Sequence, residues 1–396
     1  MKKIGIVSCY FQHNYGSMLQ AYATQMALDK LGYENETIDI TGFNHEIRNA
    51  KLKYFAKASL TSDILLSKAG MAMNKVKKKF SKNEYTANSK IRDDKFTAFS
   101  KNYFRLSGVY NSKAELGAKC EELYDAVLVG SDQLWLPGNI AADYYTLNFV
   151  PASVNTIAYA TSFGQSSLPK DSATKASVFL KKIRHIGVRE ESGQKLVKEL
   201  AGRDVPVVCD PTLLFTGDEW MAIQDEAPIR EGRYIFCYFL GNNPPHREFA
   251  KRLKEATGCR IIALTHLDEF VESDEHYADE TPYDIDPKDF LNLIRNAEYV
   301  CTDSFHCSVF SILYKRPFFT FRRYARKTKQ STNSRIDTLF NLAGITGRLM
   351  TGDEDIQKCL AIETDFEQVH RSLEKVRKQS YEYLINSLED EDSTDG

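Results

Sequence analysis

Residues 297–318, AEYVCTDSFHCSVFSILYKRPF, constrain the fold of this chain more than any other stretch. Glu298 to Cys301 reads as a short buried strand, Thr302 to Phe305 as a polar turn, and His306 to Tyr314 as a helix whose Val309, Phe310, Ile312 and Leu313 face a sheet. Lys315, Arg316 and Pro317 close that helix, with cations at its negative end and a proline that cannot continue it. A strand, turn and helix in this order belong to an α/β fold. The turn then lies outside the carboxyl end of the sheet, where such folds bind ligands, and the orphan N–H groups of the helix start favour an anion. His306 stands at that start, as a helix-capping residue or as part of a site.

The same unit recurs along the chain. Residues 3–9 form a buried strand, and a helical apolar pattern (Met18, Leu19, Tyr22, Ala23, Met26, Ala27, Leu31) follows, with Gly16 and Ser17 as turn and cap. Asn14, Tyr15 and Gly16 fall between strand and helix. Residues 125–129 (DAVLV) form another buried strand, followed by Ser131, Asp132, Gln133 and Trp135. Asp132 is a candidate base or hydroxyl ligand, and Trp135 a candidate stacking platform for a sugar. Arg189 ends a strand at 186–188, where a guanidinium can fork onto a carboxylate or phosphate or pair with Glu190 or Glu191. Asp210 and Pro211 read as a stiff structural turn at the domain crossover.

A second set of strands and helices starts at Arg233, so two Rossmann-like domains with open parallel sheets are expected to face a central cleft. The expected limits are 1–210, with a basic helical insertion at about 49–105; 211–350; C-terminal helices at 351–385 that cross back to the first domain; and a disordered acidic tail at 386–396. The length, 396 residues, exceeds the usual single core and agrees with two domains.

A formal net charge of -2 gives no global reason to expect nucleic acid. The asymmetry is local: residues 51–105 hold 14 Lys or Arg against 4 Asp or Glu. That segment reads as a solvated helical insertion or as a surface that meets anionic lipid or a lipid-pyrophosphate-linked glycan. Eight cysteines without a CxxC pair point to reduced core residues in a cytosolic protein, peripheral at the inner membrane face if the basic segment binds there. The first residues read as a strand rather than a signal peptide, since no small-residue cleavage site follows. No metal-ligand cluster is visible, and no metal or cofactor is expected.

The combination of NYGSMLQAYA, VLVGSDQLW, YATSFG, GVREESG, CDPTLLF, TDSFHCSVFSILYKRPF and NSRIDTLF, with Gly344 and Arg348, resembles the polysaccharide pyruvyl transferase family from residue 1 to about 350. The resemblance implies a GT-B-like pair of domains. It also implies phosphoenolpyruvate as donor, its pyruvate forming a ketal across two hydroxyls of a glycan or lipid-linked precursor. His306 matches the family's general acid and Arg189 a donor-binding arginine. Where many members have Arg-Leu-His, this chain has Ser304, Phe305 and His306, so one donor arginine is replaced by serine. Arg335 or Arg322 is then expected to supply the charge, and Asn14, Tyr15, Gly16, Ser131, Gln133 and Trp135 the acceptor side. Two other classes remain open: a GT-B nucleotide-sugar glycosyltransferase, and a catalytically inactive glycan-binding relative.

Overall fold

The computed structural model describes residues 2–58, 84–266, 271–323 and 334–389. Its first half runs β1 (Lys3–Val7), α1 (Tyr15–Lys30), β2 (Glu34–Thr37), α2 (Asn44–Ala58), α3 (Glu84–Tyr103), α4 (Lys113–Leu123), β3 (Ala126–Val129), α5 (Pro137–Ala142), β4 (Asn155–Thr161), α6 (Lys170–Lys182), β5 (His185–Val188) and α7 (Glu191–Ala201). The second half runs β6 (Tyr234–Tyr238), α8 (Pro244–Thr257), β7 (Arg260–Leu264), α9 (Pro287–Asn296), β8 (Tyr299–Thr302), α10 (Phe305–Leu313), β9 (Phe318–Phe321), α11 (Ser334–Ala343), β10 (Leu349–Met350), α12 (Ile356–Leu360) and α13 (Phe366–Glu389).

Each half builds one parallel five-stranded sheet. Apart from the edge strand β2, the strands are short and mostly buried, as expected where helices cover both faces. The orders are β2-β1-β3-β4-β5 and β7-β6-β8-β9-β10, which are the same arrangement. Strand order therefore reverses between β1 and β3 and again between β6 and β8. At each reversal two loops leave the carboxyl edge in opposite directions and open a crevice. The two crevices face each other, and the segments following these four strands supply most of the site.

Three boundaries differ from the sequence expectation. Asn14, not Gly16 or Ser17, caps α1, with its side-chain oxygen accepting from Ser17 N at 3.1 Å; this leaves Gly16 inside the first turn. Ser304 caps α10, so that helix starts one residue earlier, at Phe305. α13 continues to Glu389, into the stretch expected to be disordered, because Leu384, Ser387 and Leu388 are buried and Asn155 and Lys2 donate to the Ser387 and Leu388 carbonyls. Residues 390–396 of that tail lie outside the described residues.

α13 also ties the second half back to the first. Tyr383 donates its hydroxyl to the Ala158 carbonyl on β4 at 3.0 Å, and the Arg377 guanidinium donates to the Leu213 carbonyl. Across the domain junction the Tyr15 ring stacks on Phe290, with centroids 4.6 Å apart, and its hydroxyl donates to the Ile285 carbonyl. One hydrophobic cluster thus spans both domains. The basic insertion is helical where described, and residues 59–83 lie outside the described residues.

Candidate active site

The facing crevices enclose a cavity of about 380 Å³. Its floor comes from the loops after β1 and β3 (Gln12, Asn14, Asp132, Gln133), its roof from Ser304, Phe305 and His306, and its sides from Arg323, Arg335 and, from α2, Lys51 and Phe55.

His306 is the second residue of α10, and its ring reaches across to the first domain. That reach requires Gly16: a Cβ there would lie 2.1 Å from His306 Nδ1 and 2.6 Å from Cγ, so a larger residue would displace the ring. The other ring nitrogen, Nε2, lies 3.4 Å from Asp210 Oδ2. Asp210 is fully enclosed. Its Oδ2 also accepts from Arg189 Nη1 at 2.7 Å and Ser131 Oγ at 2.8 Å, and its Oδ1 from the Thr212 amide and hydroxyl. Burial alone would raise this carboxyl, but His306, Arg189 and Thr212 overcome it and hold the group far below the usual carboxylate range.

Asp132 occupies the left-handed backbone region at φ 82, unusual for a residue with a side chain. Its own surroundings hold it there: its carbonyl accepts from Ser162 N, and its Oδ1 from Gln133 N. Oδ2 accepts from Ser17 Oγ at 2.6 Å. Burial opposes its charge, yet Arg189, His306, Ser17 and Arg335 keep it below the usual range, so it is ionised near neutrality.

The cations divide into two sets. Arg189 is buried behind the Phe305 ring, 4.8 Å from its centroid, and faces Asp210, Asp132 at 3.7 Å and Glu190 at 3.8 Å. Burial disfavours its charge, but those three carboxyls more than compensate. Expected as a donor clamp, it lies beneath the cavity rather than in its lining, held by Asp210 through Nη1, while its Nε and Nη2 have no hydrogen-bond partner. Glu190, on which Ser162 donates at 2.7 Å, is raised by burial despite Arg189. Arg335 lines the cavity on the other side of Phe305, and its buried Nε has no partner. Burial, with Arg189 nearby, draws it down to about 10, so it remains a cation available to an anion. Lys51 lines the cavity too and is lowered by burial.

Several expected site residues stand elsewhere. Trp135 is no stacking platform: its indole is wholly enclosed between Phe163 and Phe179, and its N–H donates to the Tyr145 carbonyl. Arg322 pairs with Asp337 at 2.6 Å and does not line the cavity; the next residue, Arg323, does. Successive side chains in extended chain point to opposite sides, so one residue of register separates the two. Tyr15 packs in the domain junction, and Ser131 is enclosed beneath the cavity. His306, Ser304, Asp132, Asn14, Gln133 and Arg335 come together, with Gly16 against His306.

Asp210, Lys51 and Arg323 were not foreseen. Asp210 follows a buried strand-like run at a carboxyl edge, as Asp132 does, and that shared position was the available signal. Among the described residues no group of three His, Cys, Asp or Glu side chains is placed to hold a metal ion, and no helix is long and apolar enough to cross a membrane.

Two parallel five-stranded sheets with matching order and facing carboxyl edges define a GT-B-like protein. Solved structures with this fold cover nearly the whole chain. They include UDP-N-acetylglucosamine 2-epimerase from Rickettsia bellii (TM-score 0.51, 12% identity, 98% of this chain and 97% of that one). A putative UDP-N-acetylglucosamine 2-epimerase from Listeria monocytogenes gives TM-score 0.54 at 12% identity over 99% and 98%. The S. aureus MnaA-UDP co-structure gives TM-score 0.51 at 12% identity over the full length of both chains. At such identities the likeness shows the fold alone. A search of curated proteins gives no match. The chain belongs to the polysaccharide pyruvyl transferase family, whose model matches residues 14–323.

Proposed function

We propose that this transferase moves the pyruvyl group of phosphoenolpyruvate onto two hydroxyls of one sugar in a glycan or lipid-linked precursor, as a ketal. The observation that carries the reading is His306, set between Asp210 and Gly16 in a cavity that also holds the available cation Arg335.

In this reading Asp210 stabilises the imidazolium of His306, which gives its proton to the methylene carbon of the enol phosphate. The adjacent carbon becomes electrophilic, and a sugar hydroxyl oxygen bonds to it. The carbon–oxygen bond to phosphate then breaks, phosphate leaves with the electron pair, and a second hydroxyl closes the ketal. Of the two hydroxyl protons, one restores His306 and the other leaves with phosphate. Asp132, held below the usual carboxylate range, orients an attacking hydroxyl as a hydrogen-bond acceptor. Arg335, Arg323, Lys51 and the α10 N-terminus face the donor's carboxylate and phosphate. This set takes the place of the arginine that Ser304 lacks.

Thermal-shift titration tests the reading, since a ligand that binds only the folded state raises its apparent stability. Phosphoenolpyruvate is expected to raise the melting temperature, with a smaller effect in Arg335→Ala. A shift with one UDP- or GDP-sugar that phosphoenolpyruvate cannot displace would replace the proposal with glycosyl transfer.

A further inference from the structure

A second cavity, of about 450 Å³, lies beyond the first and shares Asn14 and Leu240 with it. It opens at the carboxyl ends of β6 and β7 (Tyr238, Leu264, His266) and is closed by α3 of the basic insertion (Arg92, Phe96). No step proposed above uses it.

Two enclosed basic side chains line this cavity with N–H groups left over. Arg92 is 6% exposed. Its two terminal nitrogens donate to the Thr265 and Pro282 carbonyls at 2.9 and 3.1 Å, and its Nε has no partner. Those carbonyls fix the guanidinium without neutralising it. The side chain of His266 is 7% exposed. Its Nδ1 lies 2.7 Å from Asp274, which Arg247 also holds, and its enclosed Nε2 has no hydrogen-bond partner of normal length and angle, the Leu240 carbonyl standing near the ring. Burial disfavours the charged ring, but Asp274 and the Leu240 carbonyl favour it more strongly, so the imidazole is raised towards its cationic form. The carboxylate in the lining, Asp93, is taken by the His13 ring at 2.6 Å. A buried N–H without an acceptor costs free energy unless a ligand supplies one. Two such N–H groups on basic side chains in one cavity favour an anion.

We propose that this cavity is a second anion subsite, in which Arg92 and His266 take a phosphoryl or pyrophosphoryl group carried by the acceptor. The acceptor part of the assignment rests on the pyruvyl-transfer reading; the anion site does not. Since the cavities share Asn14 and Leu240, a sugar linked through phosphate can extend from one into the other. The insertion then serves as a wall of the subsite through Arg92.

Calorimetric titration of the full chain with inorganic pyrophosphate tests this, comparing the wild type with His266→Gln, His306→Ala and Arg335→Ala. Pyrophosphate is expected to bind the wild type and His306→Ala equally, and His266→Gln roughly tenfold more weakly, the weight of one charge-assisted hydrogen bond. His266→Gln keeps a neutral donor towards Asp274, which Arg247 still holds, and leaves the Arg92 contacts between domains in place; Arg92→Lys, expected to weaken pyrophosphate binding likewise, keeps the test standing should His266→Gln fail to fold. Uridine diphosphate and an isoprenoid diphosphate in detergent micelles, run as competitors, name the carrier by which displaces pyrophosphate better. No binding of pyrophosphate, or binding that survives His266→Gln and is lost in Arg335→Ala, overturns the subsite. Pyrophosphate binding with no response to phosphoenolpyruvate would retain the subsite and reject the pyruvyl reading.

Discussion

Replacing Asp210 by asparagine removes one charge and little volume, and its consequence can be worked through. Arg189 loses the carboxylate at 2.7 Å and keeps only Asp132 and Glu190, at 3.7 and 3.8 Å. The asparagine oxygen can still accept from Thr212, but its amide then presents N–H groups to Arg189 and Ser131. Breaking one partner out of a buried pair costs about 3–5 kcal/mol. The entropy of unfolding for a chain of 396 residues is roughly 0.8 kcal/mol/K, so the melting temperature should fall by about 4–6 °C at pH 7.

The pH dependence gives a second handle. The Asp210 carboxyl lies lower in the fold than its unfolded value of about 3.9, so its stabilisation is fully present above that value and is lost as pH falls towards the folded one. About 1 kcal/mol of the gap between wild type and variant should be gone by pH 3. Scanning calorimetry of both proteins at pH 7 and pH 3 reads both numbers. A gap below about 1 °C at pH 7, or one that does not narrow in acid, would refute the account of this network. In the pyruvyl-transfer reading the same variant loses phosphate release by at least about a hundredfold.

Gly16→Ala should gain up to about 1 kcal/mol of helix propensity, offset by the cost of moving His306 off a Cβ at 2.1 Å. A near-neutral melting temperature with activity down by about a hundredfold is expected, and full activity would refute the packing argument. Trp135→Phe is expected to destabilise the protein by about 1–3 kcal/mol in denaturant melts and to leave acceptor KM unchanged; a raised KM would return the indole to the acceptor site. Turnover should be insensitive to EDTA, and a loss restored by magnesium would count against the expectation that no metal takes part. Co-sedimentation with anionic liposomes that falls with salt is expected if the basic insertion meets the membrane surface, and no binding at low salt would end that idea.

Much of this architecture was legible before any coordinates. Strands such as DAVLV and RYIFCYF are apolar runs closed by Gly, Asp or Ser, and that pattern alone predicts parallel sheets with turns at one edge. The polar turn expected at residues 302–305 puts His306 at a helix start, and the helix begins one residue earlier, at Phe305. What the sequence hid were relations between distant segments. Asp210 reads as a stiff turn because nothing local shows that Arg189, Ser131 and His306 converge on it. Trp135 reads as a sugar platform because an indole after a polar turn does not reveal that Phe163 and Phe179 enclose it. Arg322 and Arg323 are indistinguishable by composition, and only the end of β9 decides which one enters the cavity.

The placement of His306 and Asp210 on different halves has a consequence for timing. The ring belongs to one domain, while its carboxylate and the glycine that admits it belong to the other. Any rotation that parts the halves to admit a bulky glycan separates these groups as well. In the pyruvyl-transfer reading, their meeting then couples proton transfer to the apposition of the two halves.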